Sequence, residues 1–343
     1  MPLAHALLKL AERQNLTAEE TQHVFDLIFA GEAPPAQIAA LLLGLRNKGE
    51  TVNEILGAVR SMRDNMLPVE APPDAIDIVG TGGDGHGTLN VSTAATLVVA
   101  GCDVPVAKHG NRGASSLSGS SDTLGKLGIN LEPGWRVLEK CINELGIVFL
   151  FAPRHHPAMR HVAAVRKELG VRTIFNLLGP LTNPANVRRH MIGVYDPAWL
   201  LPMAEVLKQL GSERAWFVHG EGHGKDGLDE ISTVGPTSVI QLKDGVIENF
   251  TISPEDVEIS RARLEDLKGG DASVNAEAIR RLLAGKRGPY RDIVLMNAAG
   301  ALVVAGKAAD MPEGLRLAAE SVDTGAAKEK LEGLIALTNG GRL

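Results

Sequence analysis

One run limits the possible folds of this chain more than any other: Asp77-Ile78-Val79-Gly80-Thr81-Gly82-Gly83-Asp84-Gly85-His86-Gly87-Thr88-Leu89-Asn90-Val91-Ser92-Thr93. Residues 75–79 read as a short buried strand, the glycines at 80, 82, 83, 85 and 87 as a turn, and Val91 to Ala100 as an apolar helix closed by Gly101. A strand that passes through glycines into a helix leaves unpaired backbone N–H groups at the helix start, where an anion is favoured. Glycine also lets the backbone approach that anion closely. Asn90, Ser92 and Thr93 add side-chain donors, so the run predicts a phosphate or diphosphate cradle. It is not a P-loop, which needs G-x-x-x-x-G-K-[ST], and its third glycine is at the wrong offset for a dinucleotide fingerprint.

A chain of 343 residues is expected to form one or two domains around a large core. Aromatic residues are only 3% of it, so that core must be built from Ala, Leu, Val and Ile. A net charge of −6 and the lack of any basic run of five give no electrostatic reason to expect nucleic acid. Cys102 and Cys141 are the only cysteines, which suits a reducing compartment rather than a disulfide framework. Met1-Pro2-Leu3-Ala4-His5 does not resemble a signal peptide, and the longest apolar run is far short of a membrane span. A cytoplasmic protein with no membrane contact is therefore expected.

Residues 1 to 67 read as helix throughout. Ala4 to Gln14 has helical apolar spacing. Thr17-Ala18-Glu19-Glu20 and Thr51-Val52-Asn53-Glu54 are capping boxes that open helices ending near Gly31 and Met66. A helix from Pro34 to Gly49 lies between them. Its run Leu41 to Leu45 is nearly continuous in apolar residues, which places it at the centre of a four-helix bundle or in a subunit contact. Pro68 to Pro73 is a linker. After it, strands (75–79, 104–107, 147–151, 189–195, 215–218) alternate with helices (91–100, part of 117–127, 133–145, 156–169, 197–210), the pattern of a largely parallel sheet. Ligands in such sheets lie beyond the carboxyl ends of the strands. Gly80, Lys108-His109-Gly110 and Pro153-Arg154-His155 should meet there. Gly170 to Pro184 reads as irregular and returns towards the helical bundle; Asp244-Gly245 reads as a hairpin turn. Helices over 273–284 and 290–304, and one from Gly314 to near the end, complete the chain.

Lys108-His109-Gly110-Asn111-Arg112-Gly113-Ala114-Ser115-Ser116 follows a strand and gathers cations, an amide, hydroxyls and glycines suited to a polyphosphate. Ser118-Gly119-Ser120-Ser121-Asp122 then reads as either a further donor set or a helix cap. Lys225-Asp226-Gly227-Leu228-Asp229-Glu230 follows a strand as well. Its acids suit Mg²⁺, which needs one or two carboxylates when phosphates and water fill its shell. The histidines at 155, 156 and 161 lack the spacing of a zinc site, and Pro157 marks a helix start instead.

Together with His156-Pro157-Ala158-Met159, Val165-Arg166-Lys167-Glu168-Leu169-Gly170 and the block Arg172-Thr173-x-Phe175-Asn176-x-Leu178-Gly179-Pro180-Leu181-x-Asn183-Pro184, these motifs resemble those of the anthranilate phosphoribosyltransferases, in order and over the whole chain. The resemblance implies an α/β fold of nucleoside phosphorylase/phosphoribosyltransferase type. A small N-terminal helical bundle (1–70, completed by part of 170–188) would precede a larger α/β domain (71–343) with a mainly parallel sheet. It implies transfer of the 5-phosphoribosyl group of phosphoribosyl pyrophosphate (PRPP) to the amine of anthranilate, Mg²⁺ as cofactor, and a homodimer through the bundle. Carried over by motif, Gly80, Gly83, Asp84, Thr88, Asn90, Val91, Ser92, Thr93, Lys108 to Ser116 (Lys108, His109, Gly110, Asn111, Arg112, Gly113, Ala114, Ser115, Ser116) and Ser120 would bind PRPP. Gly80, Asn111 and Arg166 would bind anthranilate, and Ser92, Asp229 and Glu230 the metal. His109 is the candidate general base, and His156 lies near anthranilate's route. Two rivals share the scaffold. A pyrimidine nucleoside phosphorylase fits Lys108-His109-Gly110-Asn111-Arg112 poorly. A nucleic-acid-binding paralogue should have a basic groove and a degenerate Gly80–Asp84 loop.

Overall fold

The computed structural model describes residues 3–113, 117–222 and 227–342. Four helices open it: α1 (Leu3–Ala11), α2 (Ala18–Phe29), α3 (Pro35–Lys48) and α4 (Val52–Asp64). Both capping boxes form, each Thr side chain accepting the N–H three residues on and each Glu reaching back to the cap N–H. Glu54 does more than close its box. Fully buried, it accepts the N–H groups of Leu16 (2.9 Å) and Thr51 (2.8 Å) and the ammonium of Lys48 (2.9 Å). One carboxylate thereby joins the start of α4, the end of α3 and the α1–α2 connection. Helix α3 packs on α1 and on the helix Arg160–Leu169, which accounts for its long apolar run.

The sheet holds β1 (Ile76–Gly80), β2 (Val106–Gly110), β3 (Ile147–Phe151), β4 (Arg189–Gly193), β5 (Arg214–Glu221), β6 (Gly227–Leu228), β7 (Thr237–Lys243) and β8 (Val246–Ile252). Their order is β3-β2-β1-β4-β5-β7-β8, with β6 on β5. β1 to β5 are parallel and β6 to β8 antiparallel. The β7–β8 hairpin turns at Asp244 and Gly245, both with positive φ, as a two-residue turn matched to strand twist requires.

Side chains alternate across a strand, and here the alternation separates two cores. Met191, Trp216 and Val218 point to one side, against α5 (Val91–Gly101) and the helix Pro289–Ala305. Ile192, Ala215 and Phe217 point to the other, into a core continuous with Phe25, Leu41 and Ile55 of the bundle and with Ile174, Phe175 and Leu178. The bundle is thus packed on one face of the sheet.

Three stretches differ from their sequence expectation. The helix expected over 156–169 is preceded by a helical turn at Ala152–His155 and a 3₁₀ turn at Pro157–Met159, because Pro157 has no N–H to continue a ladder. The stretch 170–184 is not wholly irregular: Phe175–Leu178 and Gly179–Leu181 are helical turns. The last helix is two, Met311–Asp323 and Ala326–Thr338, broken where Gly325 takes φ +88°. No helix among the described residues is long and apolar enough to cross a membrane.

Candidate active site

β1 and β4 are register partners, and both end on glycine, Gly80 beside Gly193. After β6 the chain turns back over these two ends. The main chain of Asp229 lies directly on Gly193, where any Cβ would overlap it, and a Cβ at Gly80 would stand 2.5 Å from Asp229 Oδ2. The two glycines therefore form a slot for one aspartate. From it, Asp229 Oδ2 accepts the Gly82 N–H at 2.7 Å, and Glu230 Oε1 accepts the Ser92 N–H at 3.1 Å. The buried amide of Asn297 fixes the next residue, accepting from Ile231 N–H and donating to Ile231 O, both at 2.8 Å.

The sequence predicted open N–H donors in this cradle; carboxylates from far along the chain engage two of them. Glu230 takes the place of an anion at the start of α5, where one is favoured, and Asp229 does so on the loop before it. Burial first, then the charge of Asp84, raises the pKa of Asp229. Burial first, then Asp229, raises that of Glu230 well above the usual range, with Lys108 opposing.

Lys108 is also placed differently. The strand expected to end at Ala107 runs on to Gly110, so Lys108 lies inside β2 rather than on a loop. It is 3% exposed, and its ammonium donates to the Ile78 carbonyl at 2.5 Å beneath the cradle. Burial lowers its pKa, and Asp77, then Glu230, oppose the shift. Asp77, which sequence reasoning passed over, is fully buried and accepts from His109 N–H (3.1 Å) and Asn183 Nδ2 (2.7 Å). Burial raises its pKa to about 6 against the pull of Lys108. An acid inside the apolar strand IDIVG was the available signal.

Within the cradle helix, Val91 and Thr93 are 1% exposed, so their side chains face the core and only Ser92 is half-exposed among residues 91–93. Asn90 is held as a post: its side-chain oxygen accepts from Thr123 Oγ1 (2.6 Å) and Asn275 Nδ2 (2.9 Å), and its carbonyl from the Tyr290 hydroxyl (3.1 Å). Thr88 bridges to Lys268. On the second loop, Ser120 Oγ donates to the Asn111 carbonyl at 3.3 Å. Asp122 accepts the N–H groups of Gly113 (3.0 Å) and Gly119 (2.9 Å), so its capping role is realised. Arg112 lies 5.8 Å from the Phe151 ring centroid. Ala114, Ser115 and Ser116, and residues 223–226 of the acidic approach, lie outside the described residues.

His109 Nδ1 lies 3.1 Å from the Gly179 carbonyl. A carbonyl can only accept, so Nδ1 carries the proton and Nε2 the lone pair. Burial, then His156, depresses the His109 pKa far below the usual value. His156, its ring 5.1 Å away, is pushed down to about 4, chiefly by burial. Both rings are neutral at pH 7. His155 instead bonds the carbonyl of Leu67, just before the linker, at 2.9 Å. Arg166, on the helix Arg160–Leu169, stacks 5.1 Å over Phe175, a bundle-side contact rather than one with the cradle.

Known proteins share this architecture. Residues 4–66 match the helical bundle domain of a glycosyl transferase family, and residues 72–328 match its a/b domain. The anthranilate phosphoribosyltransferase of Rhodopseudomonas palustris (strain TIE-1) is 56% identical over 332 residues, 97% of each chain. The chain belongs to the anthranilate phosphoribosyltransferase family. Solved structures of the family superpose along its length. The enzyme of Thermus thermophilus (45% identical) has a TM-score of 0.91, covering 98% of this chain and 99% of that one. The Saccharomyces cerevisiae anthranilate phosphoribosyltransferase in complex with PRPP and Mg (28% identical) has a TM-score of 0.89, covering 98% of both.

Proposed function

We propose that this enzyme transfers the 5-phosphoribosyl group of PRPP to the amine of anthranilate, giving N-(5-phosphoribosyl)anthranilate and pyrophosphate in tryptophan biosynthesis, with the diphosphate seated at the β1–α5 corner. The observation that carries the site assignment is the acid pair: Asp229 and Glu230 reach across the sheet end to the cradle's own N–H groups. Carboxylates that converge on an anion cradle suit a magnesium diphosphate, because Mg²⁺ takes one or two protein carboxylates and fills its shell with phosphate oxygens and water. Asp229, Glu230 and Ser92 would hold the ion, whose chemistry is to neutralise charge on the departing diphosphate.

The protein's own residues do the rest. Displacement at the ribose anomeric carbon passes through an oxocarbenium-like state, as in glycoside transfer. Anthranilate's aryl amine is neutral at pH 7 and already nucleophilic, so the enzyme mainly aligns the partners and stabilises the leaving group. The N–H groups of residues 80–93 and the second loop, Lys108 to Ser116 with Ser120, bind PRPP. The cation of Lys108 lies below the cradle floor. Arg166, with Asn111 and Gly80, orients anthranilate through its carboxylate. The Nε2 lone pair of the neutral His109 is the available proton acceptor; substrate carboxylate and water are its competitors.

The chain divides into a bundle of residues 1–70, completed by part of 170–188, and an α/β domain of 71–343. The two-domain enzyme works in the cytoplasm as a homodimer joined through the bundle. An exposed Leu8 on α1 (64% accessible) and the α1–α3 groove at Leu7, Leu10, Ala40 and Gly44 support that contact. The activity test is optical. Anthranilate fluorescence should fall when PRPP and Mg²⁺ are added to the enzyme; unchanged fluorescence with folded protein refutes the assignment.

A further inference from the structure

Arg172 stands beside the glycine loop, its guanidinium held by packing alone among the described residues. Its Cζ lies over the Tyr195 ring, 4.1 Å from the centroid. The group also rests against the glycine loop: a Cβ built at Gly83 would be 3.0 Å from its Nη2 and 3.2 Å from its Cζ. Gly83 has φ +82°, so both conformation and space reserve this position for glycine beneath the arginine. Among the described residues the Arg172 side chain makes neither an ion pair nor a hydrogen bond. It is half-buried, and its donors are uncommitted.

Its surroundings hold it in place from two sides. The Arg172 carbonyl accepts from Arg46 Nη1 of α3 at 2.7 Å, which fixes the backbone to the bundle. The Tyr195 N–H donates to Thr81 Oγ1 at 3.0 Å, and the Thr81 N–H to Gly193 O at 2.9 Å, which fixes the ring platform to the cradle loop. Two carboxylates of this corner have other partners: Asp84 accepts the His86 N–H at 3.1 Å and Asp229 the Gly82 N–H at 2.7 Å. Asp84, Asp229 and Glu230 put three carboxylates at this corner, whereas Lys108 is below the floor. Mg²⁺ on the acids would meet a diphosphate from one side only, which leaves phosphate oxygens on the open side for a protein cation. A guanidinium offers a planar fork of donors that matches phosphate oxygens two at a time, and aromatic stacking holds that fork in position.

We infer that Arg172 is a PRPP-binding residue: it grips the diphosphate from the bundle side of the cleft, opposite the acid pair. The inference rests on the transferase reading above. Because its backbone is tied to α3 and its side chain lies on the cradle loop, diphosphate binding also links the bundle to the sheet end.

The test measures donor binding apart from turnover. The melting temperature of the enzyme is followed against PRPP concentration at fixed Mg²⁺, and both KM values are measured, for wild type, Arg172→Ala, Arg172→Lys and Tyr195→Leu. Loss of charge-assisted bonds to a phosphate should raise the PRPP concentration for half-maximal stabilisation, and the PRPP KM, by about tenfold or more in Arg172→Ala. The anthranilate KM should stay within about twofold, since that substrate loses no partner. Arg172→Lys should fall between, keeping charge without the fork, and Tyr195→Leu should weaken PRPP several-fold with the arginine intact. If wild type is stabilised by PRPP and Arg172→Ala responds identically, this inference is wrong and the transferase reading stands. A rise confined to the anthranilate KM, or an equal rise in both with a lower unliganded melting temperature, also overturns it. A wild type that PRPP does not stabilise removes the donor reading and this inference with it.

Discussion

In the bundle, Glu20 and Glu54 accept N–H groups at the starts of their own helices, three residues away. In the cleft, Asp229 and Glu230 do the same for N–H groups 147 and 138 residues away. The chemistry is one, a carboxylate on an orphan helix or loop donor, and the consequences are opposite. Glu54 is sealed in, with a buried ammonium and three elements depending on it, so no solute can replace it. The cleft acids are half-buried, border one another and Asp84, and have their pKa values raised by that burial and repulsion. A carboxylate held against its own preference is easily drawn away by a better partner. The bundle commits its acids to its own helices; the proposed function gives those of the cleft to a ligand.

The contrast can be broken most directly at Glu54. Glu54→Ala takes from the Lys48 ammonium its only carboxylate among the described residues, and from the buried Leu16 N–H its acceptor, and should lower folding stability by about 3 to 5 kcal/mol. Both KM values should change little in whatever fraction stays folded; denaturant unfolding beside steady-state kinetics decides it. Next is the cleft pair. Asp229→Asn with Glu230→Gln should cut Mg²⁺-dependent kcat/KM by at least about 100-fold, roughly 2.7 kcal/mol. The metal-free melting temperature should hold or rise, since like charges have been removed. A large loss of stability would put these acids in the same class as Glu54.

His190 on β4 tests the boundary between the regions. It is fully buried, and burial followed by the charge of Arg63 pushes its pKa down to about 3. Below pH 6.5 the unfolded chain takes up a proton that the folded chain refuses, so stability falls with pH. His190→Gln should flatten that fall by about 1.4 kcal/mol per pH unit between pH 6 and 4, read as the pH dependence of unfolding free energy. Smallest is Thr17→Ala, which removes one cap oxygen and should cost about 1 kcal/mol with kinetics unchanged.

The legible parts of the chain were those whose signal is local. Thr17 and Glu20, or Thr51 and Glu54, meet within one turn, so their spacing alone predicts the contact. The strand, glycine turn and helix of residues 75–101 were equally plain, as was the hairpin at Asp244-Gly245. The acidic pair was legible as chemistry, and the family resemblance set it opposite the cradle. Less was readable where partners come from different strands. That Lys108 sits inside β2, bonded to the Ile78 carbonyl, depends on where β2 ends against β1 and β3. Arg172 belongs to a recognisable motif, yet its place over Gly83 comes from α3 holding one side and Tyr195 the other.

Residue order alone determined the type and sequence of most segments and the strand, glycine turn and helix of the first corner, because such preferences act over a few residues; it did not fix every end, since β2 runs past Ala107 and the last helix is two. Tertiary structure decided what meets the N–H groups of that corner. Only when β1 and β4 lie in register do Gly80 and Gly193 stand side by side, and only that slot lets Asp229 cross the sheet end to reach Gly82. Local preferences carry no information about strand neighbours; packing the two sheet faces into separate cores does.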